Sequence, residues 1–202
     1  MCPRETYGCM TTIVASEDAM IRTETLASVL GEETEVVSAE LESADDIVDA
    51  AGEAAGLVVD VNTPVPTVVF EECEQLQIVA RAGVGVDQID FEAAAANDVT
   101  VVNVPDYCRD EVSTHAASLL FAGIRRLSVF DRAVKGGNWH WTDGQPIYRL
   151  TGETVGFLSF GQLAQATAEK LQGFDCRFVA ADPYVDEETM AEYGVEKVPF
   201  DD

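Results

Sequence analysis

Short runs of β-branched and aliphatic residues alternate along the chain with stretches whose apolar positions recur every three or four residues. TTIVA (11–15), TEVVS (34–38), GLVVD (56–60), LQIVA (76–80) and TVVNV (100–104) read as strands, and 19–30, 44–51 and 91–96 as helices between them. Strands that are apolar over their whole length, not only at alternate positions, belong to a parallel sheet covered on both faces. The pattern predicts an α/β fold.

Beyond residue 104 the pattern changes. Val112, Ala116, Leu119, Leu120, Ile124, Leu127, Phe130 and Val134 recur at helical spacing and predict one long helix over 111–134, ended by Gly136 and Gly137. A loop with two tryptophans, GNWHWTDGQPIYRL, leads to a second alternation: strand 154–159, helix 161–173, strand 176–182 and helix 187–193. A boundary near residue 104 follows, with one domain over 10–103 and a second over 104–202, the long helix bridging them. Residues 1–9 read as a disordered extension and Met10 as a candidate start. Two strands and two helices are fewer than the about six strands of a whole dinucleotide-binding domain, so the chain is expected to stop inside its own fold.

Charge narrows the partners. The chain of 202 residues carries 37 acidic and 12 basic residues, a formal net charge of -25, and only Lys135, Lys170 and Lys197 are lysines. Such a field repels nucleic acid and anionic membranes. The acids are spread along a chain that is 47% hydrophobic, which disfavours a disordered acidic tail and points to a surface adapted to concentrated salt. Five cysteines form no C-x-x-C pair and fit reduced cytoplasmic thiols, and no apolar stretch is long enough to span a bilayer. His115 and His140 lack Cys or Asp partners at ligand spacing, so no metal site is predicted.

The candidate chemistry sits at TVGFLSFGQLA (154–164). A glycine loop between a strand and a helix binds pyrophosphate through unpaired N–H groups at the helix N-terminus. Ser159-Phe160-Gly161-Gln162-Leu163-Ala164 fits G-x-G-x-x-G/A at every position except the first, where Ser159 replaces glycine and is expected to need a negative φ. On this loop alone, an ordinary strand-to-helix turn is an equally good reading. Asp182 ends the next strand 21 residues after Gly161, where an acid is expected to accept hydrogen bonds from the adenosine ribose and to repel a 2′-phosphate.

RAGVGVDQID (81–90), NVPDYCRDEVSTHA (103–116), the G-x-W at 137–139, RLTGETVGFLSFG (149–161) and AADPY (180–184) occur in the order found in the D-isomer-specific 2-hydroxyacid dehydrogenases. The chain resembles most closely the phosphoglycerate dehydrogenase and C-terminal-binding-protein branch. The resemblance implies a flavodoxin-like substrate domain followed by the first half of a Rossmann domain that binds NAD. It implies that Val84 and Gly85 help hold the substrate carboxylate, and that the amides of Gln162 and Leu163 contact the pyrophosphate; the family commonly has arginine where Gln162 stands. Tyr107, Cys108 and Val112 fall where the family's hinge meets nicotinamide and substrate, and packing explains each equally well.

The family's arginine, glutamate and histidine of catalysis lie in segments that would follow Asp202, so no catalytic residue is assigned. His115 is expected to be a satisfied core or hinge histidine and His140 a surface or interface residue. The resemblance implies oxidation or reduction of a small 2-hydroxy or 2-oxo acid, with this polypeptide expected to be inactive alone and the long helix and Trp139–Trp141 region a possible homodimer interface. The alternatives are an NAD-responsive, corepressor-like binding module and an inactive remnant of a disrupted gene.

Overall fold

The computed structural model describes residues 10–201, so the expected 1–9 extension lies outside the described residues. The chain divides into two compact units between Tyr107 and Cys108, where Cys108 takes a left-handed φ of 55°.

In the first unit β1 (Thr11–Ser16), α1 (Thr23–Leu30), β2 (Thr34–Ala39), α2 (Ala44–Ala51), β3 (Gly56–Val59), α3 (Thr67–Glu72), β4 (Ile78–Arg81), α4 (Phe91–Ala96) and β5 (Thr100–Val102) follow one another. The five strands form one parallel sheet in the order β2-β1-β3-β4-β5, the flavodoxin-like order. Val14, Leu57, Val59 and Val79 from the strands pack with Ile47, Val69, Phe70 and Ala94 from the helices. Gly56 leaves room at the sheet centre for the Ile13 side chain: a Cβ there would lie 2.4 Å from Ile13 Cδ1 and 3.2 Å from Ile78 Cγ2, so Ile13 would have to turn away. Ser43 and Asp46 close a capping box on α2, which fixes that helix start locally. The short α3 was not legible from the sequence, since six residues, TVVFEE, hold less than two helical turns and begin with a β-branched run.

The second unit contains α5 (Arg109–Ile124), α6 (Leu127–Lys135), β6 (Thr154–Leu158), α7 (Gln162–Leu171), β7 (Arg177–Ala181), α8 (Glu187–Glu192) and β8 (Val195–Lys197). Its sheet is parallel, in the order β6-β7-β8. That adds β8 to the two strands expected. Phe160, Ala168, Leu171, Phe178, Met190 and Val195 make the core, and α5 packs along α7.

The expected single helix over 111–134 is two helices. Arg126 adopts φ 53° and ends the hydrogen-bond ladder, and Tyr148 N–H takes the Ile124 carbonyl at 3.3 Å. Arg125 and Arg126 donate to the carbonyls of Tyr148 and Pro146 at 3.2 and 3.3 Å, so the loop over 146–148 is tied to the break. A three- and four-residue apolar spacing survives one non-helical residue, so the pattern did not reveal the interruption.

Candidate functional site

The connection from β6 to α7 is three residues, Ser159, Phe160 and Gly161. Leu158 is paired with Ala181, and Ser159 N–H donates to the Ala181 carbonyl at 2.9 Å, which brings the loop against Asp182 at the end of β7. Phe160 anchors it from below: its ring is fully buried and meets Phe157 and Tyr193 edge-on at 5.6 and 5.7 Å between centroids. The motif treats this position as any residue, so its anchoring role was missed. An aromatic residue between two loop positions expected to be open was the available signal.

Asp182 is only 8% exposed. Its Oδ2 accepts Phe160 N–H at 2.7 Å and the Ser159 hydroxyl at 3.0 Å, and its Oδ1 accepts the N–H groups of Tyr184 and Val185 at 2.7 and 3.1 Å. A carboxylate offers about four lone-pair positions, and here each oxygen already has two donors. The Phe160 N–H is the largest influence holding this carboxyl down at about 2; the Tyr184 N–H acts with it, and both outweigh the opposing effect of burial.

Ser159 departs from expectation. Its φ is +76°, in the region that favours glycine, so the serine keeps the turn that a first glycine would make and carries a Cβ there. Gly161 is the reverse case. Its φ of -72° suits any residue, and a Cβ on it would meet nothing within 4 Å. Neither backbone nor packing requires glycine at this position, whereas a ligand approaching the backbone would. No side chain caps α7, which leaves its first amides to an outside acceptor. Gln162 is exposed and Leu163 is 47% exposed on that turn.

The loop residues Ser159 and Gly161, Gln162 and Leu163 at the start of α7, and Asp182 at the end of β7 are therefore gathered together. Val112 lies on the surface of α5, 45% exposed. His115 is also exposed on α5, which rules out the core half of the expected core or hinge histidine: the buried side of this helix is made by Ser113 and Ala117. His140 is exposed beside Trp139 and Trp141, and with Phe130 and Val134 they line an apolar cavity of about 300 Å³.

In the first unit Val84 and Gly85 form an exposed turn beyond β4. The turn is held by Asn103 Nδ2, which donates to the Val84 carbonyl at 2.8 Å, and by Val104 N–H, which donates to the Gly83 carbonyl at 3.0 Å. Arg81, just before it, is buried and donates to the carbonyls of Val61 and Thr63 at 2.6 and 3.2 Å. The neighbouring cleft at the carboxyl ends of β1 and β3 is lined by Glu17, Asp18, Glu40, Glu42 and Asp60. Open parallel sheets usually bind ligands where strand order reverses, but this lining repels an anionic acid. Burial pushes Asp60 up, and the N–H of Asn62 together with Thr63 and Ser16 outweighs it and holds Asp60 below the usual carboxylate range. Among the described residues no cluster of His, Cys, Asp and Glu is arranged to hold a metal.

Residues 13–159 match the catalytic domain of the D-isomer specific 2-hydroxyacid dehydrogenases, and residues 117–202 match the NAD binding domain of the same family. The chain belongs to this family. Among curated members, the D-3-phosphoglycerate dehydrogenase of Mycobacterium tuberculosis is 34% identical over 177 residues, covering 87% of this chain and 33% of that protein. That of Archaeoglobus fulgidus is 32% identical over 159 residues, covering 79% and 30%. The chain thus spans about a third of the length of these relatives. Solved structures share the fold, two of them as follows. Apo D-lactate dehydrogenase from Escherichia coli has a TM-score of 0.68 at 23% identity, over 93% of this chain and 60% of that one. An acyclic imino acid reductase in complex with NADPH and D-Arg has a TM-score of 0.79 at 18% identity, with the same coverage.

Proposed function

We propose that this chain carries the substrate-holding and NAD-holding parts of a dehydrogenase that moves hydride between nicotinamide and C2 of a small 2-oxo or 2-hydroxy acid. The observation that carries the reading is Gly161, a glycine that the fold itself does not require, at the start of an uncapped helix and beside a strand-end acid. The amides of Gln162 and Leu163 hold the pyrophosphate, and Ala164 keeps the helix close to β6. Asp182 stands where the adenosine ribose is read, and its charge favours NAD over the 2′-phosphorylated form. The family resemblance assigns Val112 to the nicotinamide side, and the turn at Val84 and Gly85 would offer backbone N–H groups to the substrate carboxylate. Bound NAD supplies the hydride acceptor.

The relatives' printed name makes 3-phosphoglycerate one substrate to test beside glyoxylate, hydroxypyruvate and pyruvate. A homodimer is supported by Trp139 and Trp141, 84% and 73% exposed around an apolar cavity. The charge of -25 supports work in a salt-rich cytoplasm. No helix among the described residues is long and apolar enough to cross a membrane.

A second reading, a dinucleotide-binding module without turnover, is favoured by one observation: both histidines are exposed, neither in the loop that gathers the cofactor residues. Calorimetric titration of the purified chain with NAD tests both. Absence of binding by a folded chain refutes both, and binding with turnover of a 2-oxo acid refutes the second.

A further inference from the structure

Ser159 is the one member of the loop whose side chain spends its hydrogen bond inside the site. Its hydroxyl donates to Asp182 Oδ2 at 3.0 Å, on the oxygen that also takes Phe160 N–H. The other oxygen is filled by two backbone donors two and three residues on. Of the four donors, three are backbone amides fixed by the turn, and only the Ser159 hydroxyl can rotate away. Asp182 is buried, whereas Ser159 is exposed. The exposed serine hydroxyl thus sits directly on one oxygen of the buried carboxylate.

We propose that Ser159 is a built-in occupant of the ribose-binding carboxylate: its hydroxyl holds the lone pair of Asp182 that an adenosine ribose hydroxyl must use, and so lowers affinity for the adenosine half of the cofactor. The inference rests on the dinucleotide reading given above. A glycine at this position would make the same positive-φ turn and leave Oδ2 one lone pair open. Ser159 thus sets affinity through Asp182 and takes no part in the reaction.

The test uses ADP and 2′,3′-dideoxy-ADP as probes, titrated by NMR or calorimetry into the whole chain and into Ser159→Ala and Ser159→Gly, with thermal melts to confirm folding. Loss of one hydrogen bond that must be broken on binding should tighten ADP by about three- to tenfold in both variants. The dideoxy probe has no ribose hydroxyl at these positions and should show no gain. Equal tightening of both probes overturns the proposal by assigning the obstacle to the bulk of the hydroxyl, and tightening in Ser159→Gly alone overturns it by assigning the obstacle to the Cβ. Weaker ADP binding in Ser159→Ala also overturns it, by showing that the serine itself binds the ribose. If no folded form binds ADP or NAD, the dinucleotide reading falls as well, which separates the two failures.

Discussion

The N–H of Phe160 donates to Asp182 Oδ2 at 2.7 Å across 22 positions of sequence, so one carboxylate ties the turn after β6 to the end of β7. The same residue buries its ring in the core, and the loop is thereby held from the side-chain end and from the backbone end.

This arrangement sets an acid dependence. Asp182 falls from an ordinary 3.8 to about 2 in the fold, chiefly through the Phe160 N–H. A carboxyl whose folded pKa is depressed adds stability that is fully present above the unfolded value and is lost as pH falls through the folded one. Asp182→Asn should therefore melt lower than the parent at pH 7, and the gap should narrow between about pH 4 and pH 2. Asp60 and Asp90, also depressed, remain in both proteins and keep part of the acid limb. Melting curves across this range check the claim; a gap that is constant down to pH 2 contradicts it.

Phe160→Ala should be severe. Removing a fully buried aromatic side chain costs about 3–5 kcal/mol, and this one also sets the loop. Denaturant unfolding gives the loss directly. Phe160→Leu should recover more than half of it, and recovery of none would show that the edge-on contacts with Phe157 and Tyr193 matter more than volume.

Gly161→Ala should separate stability from binding. The φ of -72° and the empty space around the Cβ position allow alanine, and the conformational entropy that alanine removes from the unfolded chain roughly offsets its poorer N-cap. Stability should change by less than about 1 kcal/mol. The methyl group stands where a phosphate would approach, so NAD should bind about tenfold more weakly, the equivalent of ~1.4 kcal/mol. A variant that binds NAD as well as the parent would remove the main support for the proposed function.

How legible the molecule was depends on what each residue answers to. The inner strands of the first sheet were readable because a strand buried on both faces must be apolar along its length, the edge strands β2 and β5 because they repeat β-branched residues, and α2 and α4 from apolar positions at helical spacing; in the structure Ser43 and Asp90 cap those two helices. The break at Arg126 was not readable, since it is stabilised by carbonyls of 146 and 148, distant in sequence. At the site, spacing alone placed Gly161 and Asp182 together. It could not show that Ser159 would accept a positive φ, nor that its hydroxyl would find the carboxylate, because both follow from the register of β6 on β7.

Salt should stabilise the chain. Among the described residues the ion pairs are Lys135 with Asp131 and Lys170 with Asp110, so most of the 37 acids have no cationic side chain beside them. Screening shortens from about 10 Å at 0.1 M to about 3 Å at 1 M, which weakens the self-repulsion of a charge of -25. The melting temperature should climb between 0.1 and 2 M potassium chloride. A flat profile would argue against salt adaptation.

The 202-residue polypeptide should bind NAD without reducing a 2-oxo acid. Hydride transfer needs a proton donor at the carbonyl oxygen and a cation for the carboxylate. The two histidines are exposed on α5 and in the tryptophan loop, and the buried Arg81 is turned to the carbonyls of Val61 and Thr63. Spectrophotometric assay with NADH and glyoxylate, hydroxypyruvate or pyruvate, in high salt, should show no oxidation above background. His115→Ala is the informative control: turnover by the parent that this substitution abolishes would make the exposed histidine the proton donor. Turnover that survives both His115→Ala and His140→Ala would place the acid elsewhere in the chain, and either result would refute the prediction.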